Sequence, residues 1–447
     1  MTDELINLDY YITPVVMKQA PQFFVALAHT DNIAYFSRGD NPDRVRVSNL
    51  NIFPSGMKEN LLFSMSFDST IHYETMQSKL DPFGKTKELS KSIPKRLFAD
   101  CGAFQFRNSI DPILDDGTRL DAEVAWKYYS AKHLNSGFEW EEVLLCSPDH
   151  IITTDMLDEE AENRFKFIEE NAIPFLELTK QDERVTAIGV IHGRTNEERI
   201  TQYEMFKSIG YEYVALGGMV PYSSKHNIAL DIVAGIKDPA KPQINPDSIL
   251  GRCRKDGIKL HIFGLNSPEW CRWWYRLKMD SFDGSKLSTE GAANGWYWVA
   301  KDDKFTGREF PKDPISVSEL YHRIAVKKMG AEDWKWNMKK EVFTPEVPLT
   351  MNGIDTSCNC SACEYLKSAR CTSDRCWYWK ENSSFRHVCD PRMTGSTEHN
   401  MGRVAHNAHV YSWLVEQISR LNKLADESEI TEENKWLENW TTIEVMK

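Results

Sequence analysis

From about residue 95 onward, short apolar runs alternate with amphipathic stretches. The runs end at Ala99-Asp100, Thr154-Asp155, Ile191-His192, Leu216-Gly217, Phe263-Gly264 and Phe282-Asp283. They are continuous rather than alternating, as parallel strands buried on both faces require. Helical patterns lie between several of them, over 122–134, 157–171 and 196–209; in the second, Leu157, Ala161, Phe165 and Ile168 are spaced to face inward. The stretch 259–283 shows the repeating unit most plainly. Leu260 to Phe263 stops at Gly264, and Ser267-Pro268-Glu269 then offers a capping hydroxyl, a first-turn proline and an acid. Trp270, Trp273, Trp274 and Leu277 follow at helical spacing, and a second strand stops at Asp283. Strand, helix, strand is the βαβ unit of a parallel sheet. Two weaker N-terminal runs, 23–27 and 61–66, bring the strands to eight, so the pattern predicts an α/β protein with a (β/α)8 TIM barrel.

The length of 447 residues suits one barrel plus roughly 100–150 residues of additions. Residues 219–258 and 284–350 are too long for simple connections and read as insertions. No run of about 18 apolar residues is present, so no membrane span is predicted. The acidic start, Met-Thr-Asp-Glu-Leu, has no signal-peptide core, and a cytoplasmic protein is expected. The net charge of −12 argues against general coating of nucleic acid but permits a local basic groove. One candidate for such a groove is 321–340, with six Lys or Arg against two acids and Trp334 and Trp336 interleaved. A solvated helix face is the plainer reading of that stretch.

Six of the ten cysteines crowd into 358–389, which points to a metal site rather than a disulfide framework. Cys358, Cys360 and Cys363 lie within six residues and can converge on one tetrahedral zinc. His406, on an amphipathic helix, is the expected fourth ligand; Cys371, Cys376, His387, Cys389 and His399 are its rivals. Three thiolates leave no open position, so the zinc would be structural. The expected division is therefore 1–60 for an N-terminal extension and first barrel elements, and 61–350 for the barrel with its two insertions. An inserted zinc-binding subdomain and closing helix would occupy 351–425, and a C-terminal tail 426–447.

The strand ends carry the remaining chemistry. Asp100-Cys101-Gly102-Ala103-Phe104-Gln105 places an acid at a small-residue turn with an aromatic four positions on. Asp155, His192-Gly193, Gly217-Gly218, Gly264 and Asp283 end other runs. Each alone could be turn chemistry. On one barrel rim they offer acids, a histidine and bare amides around an aromatic slot, which suits a polar heteroaromatic ring such as a purine.

These motifs resemble, in order, those of the queuine and archaeosine tRNA-guanine transglycosylases. Asp100 to Gln105 resembles their Asp-Ser-Gly-Gly-Tyr/Phe-Gln. Ile188 to Gly193 resembles Gly-Ile-Val-Gln-Gly-Gly, and Ala215 to Gly218 resembles Ala-Ile-Gly-Gly. His261 to Gly264 resembles a strand ending Leu-Met-Gly or Leu-Phe-Gly, and Ser281-Phe282-Asp283 resembles Met-Phe-Asp. Cys358, Cys360, Cys363 and His406-Asn407 resemble their zinc motif. The match runs from about residue 95 to 420. Departures are His192 in place of a glutamine, Met219-Val220-Pro221-Tyr222 after the glycine pair, and Lys286-Leu287-Ser288-Thr289-Glu290 in place of Leu-Pro-Thr-Arg. No C-terminal RNA-binding module of the archaeal kind is expected. The pattern is most similar to the DNA-modifying branch, which exchanges guanine for a 7-deazaguanine base, in bacterial modification–restriction clusters and some phages.

The resemblance implies catalytic roles for Asp283 as nucleophile and Asp100 as general acid/base. It implies base-binding roles for Phe104, Asp155, His192, Gly217, Gly218, Phe263 and Gly264, and a structural zinc on Cys358, Cys360, Cys363 and His406. The implied partners are DNA, a 7-deazaguanine base such as 7-cyano-7-deazaguanine, and other proteins of a DNA-modification cluster. A tRNA substrate, or a non-catalytic nucleic-acid-binding subunit, is the alternative; retention of both Asp100 and Asp283 argues against the latter.

Overall fold

The computed structural model describes residues 21–26, 60–65, 95–114, 116–135, 139–300, 316–325, 350–351, 354–355, 358, 360 and 397–446. Eight parallel strands close into a barrel in chain order. They are β1 (Gln22–Ala26), β2 (Asn60–Ser64), β3 (Arg96–Asp100), β4 (Glu142–Cys146), β5 (Val185–Ile191), β6 (Tyr213–Leu216), β7 (Lys259–Ile262) and β8 (Ser281–Gly284). β8 pairs with β1, Phe24 opposite Asp283, and that pairing completes the circle.

Strand parity sorts the side chains into two cores. Phe24, Phe98, Leu144, Cys146, Ile188, Val190, Tyr213 and Ala215 pack together inside the barrel. Their neighbours in sequence, among them Phe23, Leu97, Ala99, Leu145, Ile191 and Val214, join the larger core between strands and helices, as does Phe282 of β8. Successive strand residues face opposite ways, so the next inward position is always two residues on. Two beyond Phe98 is Asp100, two beyond Val190 is His192, two beyond Ala215 is Gly217, and two beyond Ser281 is Asp283. The barrel's alternation thus delivers these positions to its carboxyl-end mouth, where βα loops build sites.

The fourth strand departs from expectation. The run His150 to Asp155 is not a strand; β4 lies earlier, at Glu142–Cys146. Ser147 still donates its amide to Ile188, 2.9 Å away, but Pro148 has no N–H and ends the ladder. The β-branched Ile151-Ile152-Thr153-Thr154 imitates a strand in composition while lying in the βα loop.

Helices α1 (Ala122–Tyr129), α2 (Asp158–Thr179) and α3 (Asn196–Ile209) follow β3, β4 and β5. Asp121 and Thr195 cap α1 and α3 by accepting from Val124 and Glu198 amides. α2 runs beyond the predicted end, through Pro174, because Phe167, Ile168, Ala172 and Phe175 keep one face buried. The insertion at 219–258 is built from α4 (His226–Ala234) and α5 (Ile249–Asp256). α6 (Pro268–Arg276) starts as predicted at Ser267. Its Trp270 and Trp274 stack at 4.9 Å and are fully buried. Their indole N–H groups are satisfied by the carbonyls of Ser223 and Leu265, both at 2.8 Å.

The long helix α7 (Thr397–Glu427) closes the outer layer between α6 and β1. Tyr411 lies 5.1 Å from the Phe23 ring, and its hydroxyl is 2.6 Å from the Cys271 sulfur. The antiparallel hairpin β9 (Trp296–Ala300) and β10 (Tyr321–Ala325) packs on α7. There Asn407 accepts from the Trp298 amide and donates to the Trp296 carbonyl. Among the described residues no helix is long and apolar enough to cross a membrane. Trp334, Lys335, Trp336, Lys339, Lys340, Cys363, Cys371, Cys376, His387 and Cys389 lie outside the described residues.

Candidate active site and thiol–histidine cluster

The mouth of the barrel holds three buried or largely enclosed carboxyl groups. Asp283, 6% exposed, ends the inward row of β8. Its Oδ1 accepts the Gly264 amide at 2.8 Å, and His261 Nε2 stands 3.4 Å from the same oxygen. Gly264 reaches that position at φ 77°, a left-handed conformation that favours glycine, and a Cβ there would meet Val220 at 2.6 Å. Asp280, three residues earlier, is at the other end of the barrel; its Oδ2 accepts the Leu260 amide at 2.9 Å.

Asp100, at the end of β3, has its carboxyl pushed up to about 7, first by burial and then by Asp149, with Asp283 adding to the effect. The Gly102 amide and Ser64 hydroxyl oppose the shift. A carboxyl with that value gains and loses a proton near neutrality, the property a general acid/base needs.

Asp149 is the third acid, 3% exposed. It accepts the Cys101 thiol at 2.7 Å on Oδ1, and His192 Nε2 lies 2.6 Å from Oδ2. Burial, followed by the charge of Asp149, pushes the Cys101 thiol well up, so it serves as a donor. The backbone amide of His192 is held by Gln202 of α3 at 2.7 Å. Its ring packs against Gly217: a Cβ there would come within 2.2 Å of the imidazole. The glycine pair was expected to bare backbone to a ligand, but its first use is to seat His192.

Asp155 stands apart from these acids. It is exposed in a turn before α2, and the Thr153 hydroxyl holds its carboxyl below the usual range. Because β4 ends at Cys146 and its ladder stops before Pro148, the acid that reaches the mouth is Asp149, which sequence reasoning missed. The signal was available: Val143-Leu144-Leu145-Cys146 is a short apolar run, and Pro148 stops it one residue before an acid.

Of the two predicted aromatic walls, Phe263 is half-buried, edge-on to Phe98 at 5.5 Å and 4.7 Å from the His261 ring. Phe104, in the short helix Ala103–Phe106, is 56% exposed with the Arg107 guanidinium 4.2 Å above its ring.

Where α7 meets the β9–β10 hairpin, Cys358, Cys360 and His406 bring their sulfur and nitrogen atoms within 4.8 Å of one another. Cys360 Sγ is 3.5 Å from His406 Nδ1. Two ligands of a tetrahedral zinc, at ~2.3 Å for sulfur and ~2.1 Å for nitrogen, stand about 3.6 Å apart. His406 Nε2 donates to the Trp298 carbonyl at 2.7 Å, and Tyr297 stacks on the ring at 4.0 Å. That bond fixes the tautomer with the Nδ1 lone pair facing the thiols, as a metal ligand requires. The three residues can therefore hold a metal ion. Comparison with known protein families and with curated proteins finds no match for this chain.

Proposed function

We propose that this chain is a base-exchange transglycosylase that replaces guanine in DNA with a 7-deazaguanine through a covalent aspartyl–nucleotide intermediate. The observation that carries the reading is the pairing of unlike acids in one barrel mouth. Asp283 is held by the Gly264 amide and stands beside His261, while Asp100 is pushed up to about 7. Two carboxyl groups in contrasting environments are the arrangement that divides nucleophile from proton carrier.

In the proposed reaction the Asp283 carboxylate attacks the anomeric carbon. The glycosidic bond breaks, and guanine leaves with a proton from Asp100. The incoming deazaguanine gives its ring N–H proton to Asp100, attacks the same carbon and releases Asp283. The protons and the glycosidic bond balance over the cycle. Asp149 takes the role the resemblance would give to Asp155, accepting from the amide and amino edge of the purine. The Gly217 amide is held by the Ile191 carbonyl at 3.0 Å, so the Gly218 amide and His192 serve the carbonyl side, and Phe104 and Phe263 flank the ring. The target base must leave the stack, at a cost of a few kcal/mol.

Cys358, Cys360 and His406, with Cys363 as the fourth ligand, would hold zinc in a structural role. Purified protein should contain about one zinc per chain by elemental analysis, and Cys360→Ser should lower zinc content and solubility together, since binding is coupled to folding. A folded, zinc-free wild type refutes that assignment.

The substrate test is exchange of labelled guanine into DNA and tRNA, with a search for a denaturant-resistant adduct. Exchange into DNA alone supports the reading, and exchange into tRNA alone selects the tRNA branch. Absence of both exchange and adduct leaves a non-catalytic binding subunit.

A further inference from the structure

Beneath Asp283 the barrel interior holds a row of polar groups that the reaction scheme above leaves unused. Tyr213 of β6, His261 of β7 and Ser281 of β8 are all inward-facing and at most 3% exposed. The Tyr213 hydroxyl is 2.6 Å from Ser281 Oγ, and Ser281 Oγ is 2.6 Å from His261 Nδ1. The other nitrogen, Nε2, is buried, has no well-formed hydrogen bond, and stands 3.4 Å from Asp283 Oδ1.

Burial keeps the imidazole below its ordinary range, so it is neutral and carries one ring proton. Burial likewise raises Tyr213, which keeps its hydroxyl hydrogen. Proton counting then orients the row. Ser281 has one hydrogen to give. If Tyr213 donates to Ser281 and Ser281 donates to Nδ1, the ring proton sits on Nε2 and points at the Asp283 carboxylate. In the opposite order Nδ1–H donates to Ser281, and the Nε2 lone pair faces a carboxylate across 3.4 Å at a buried site. The first arrangement pairs every hydrogen with an acceptor; the second sets two acceptors against each other.

We propose that His261 is a positioning residue for Asp283, fixed by the Tyr213–Ser281 pair in the tautomer that turns Nε2–H toward the nucleophilic carboxylate. This deepens, and rests on, the reading of Asp283 as nucleophile. The Gly264 amide and His261 then hold Oδ1 from two sides and leave Oδ2 for attack. The consequence is a tuned acidic limit for the reaction, because a donor to the charged form favours that form. Among the described residues, the titratable groups around His261 are Asp283, which faces it directly, and Tyr213, which acts through Ser281. Asp100 and Cys146 couple to Asp283, and Asp149 couples to Asp100. β1, β3 and β7 present the rings of Phe24, Phe98 and Phe263.

Two measurements test this on the full-length protein. Histidine 15N NMR of the wild type should show His261 protonated on Nε2, and Ser281→Ala should release a mixture of tautomers. In a pH series of adduct formation with guanine-containing DNA, His261→Leu should move the acidic limb up by about one pH unit. Ser281→Ala should move it by less, in the same direction, and His261→Gln, which keeps a donor near Nε2, should restore most of the shift. A wild-type His261 protonated on Nδ1 overturns the proposal whatever the activity. So does an acidic limb unchanged in both His261→Leu and Ser281→Ala while the wild type forms its adduct. If His261→Leu does not fold, Ser281→Ala and the wild-type spectrum still decide. A wild type with Nε2–H that forms no adduct refutes the transglycosylase reading and leaves the tautomer assignment standing.

Discussion

The two sides of the barrel mouth are built on opposite electrostatic plans. On the β7–β8 side, Asp283 is met by a backbone amide and an imidazole edge, both aimed at one carboxylate oxygen. On the β3–β5 side, Asp100 and Asp149 are pressed together, with a thiol as one neighbour, and Asp100 holds a proton up to about 7. One side surrounds a carboxyl with an amide and an imidazole, and the other buries an acid beside a second acid, so that its proton is held up to about 7. The same residue type thus meets two environments because strand register, not side-chain chemistry, decides its neighbours.

The most drastic way to break this contrast is Asp283→Asn, which keeps the shape and removes the anion. Exchange and the denaturant-resistant adduct should both vanish on a denaturing gel, while DNA affinity in a binding titration stays within a few-fold. Normal exchange by that variant would refute the mechanism.

Asp100→Asn should slow exchange by ~10²–10⁴-fold, the range for proton transfer by a positioned group. The wild-type rate of base departure should fall above pH 7 as Asp100 loses its proton, and the variant should lack that alkaline limb. A retained limb in steady-state exchange would assign it to another group.

Replacing Asp149 should cost less, because its proposed part is to hold a ring. A lost hydrogen bond to a charged group corresponds to roughly 10–100-fold. Asp149→Asn should therefore raise KM for the incoming base by about that factor, while Asp155→Asn should stay within twofold of wild type. The reverse ranking in initial-rate kinetics would restore the role first expected of Asp155.

The smallest effect is on stability. Asp100 is raised above its unfolded value, so between about pH 4 and 7 the folded state binds more protons than the unfolded. Stability contributed by this group therefore falls as pH rises through that window and levels off above it. Thermal melts should show wild type losing more than Asp100→Asn across the window; parallel curves would contradict the raised value.

Much of this was legible in the chain because parallel barrel strands are short apolar runs with punctuation. β5 and β6 end at Ile191 and Leu216 as their runs predict, β7 stops at Ile262, one residue before Phe263, β8 runs past Phe282 to Gly284, and α6 follows its Ser267 cap. β4 was misplaced because Ile151 to Thr154 has strand composition, while the true strand is interrupted by a proline whose meaning depends on its neighbours' ladder. Asp149 was lost with it. The Asp149–His192 and Asp149–Cys101 bonds span 43 and 48 residues, and no local pattern announces a contact between adjacent loops of a closed sheet. The row Tyr213–Ser281–His261 was hidden for the same reason: each member reads as an ordinary strand residue until the barrel turns them inward.

The contact between His192 and Gly217 also constrains how such sequences can drift. With the imidazole 2.2 Å from where a Cβ would sit, position 217 can accept a side chain only after position 192 has become smaller. Descendants of this chain should carry the histidine with the glycine or lose the histidine first. A sequence with alanine at the second position and histidine at the first would mark a lineage whose mouth has been rebuilt.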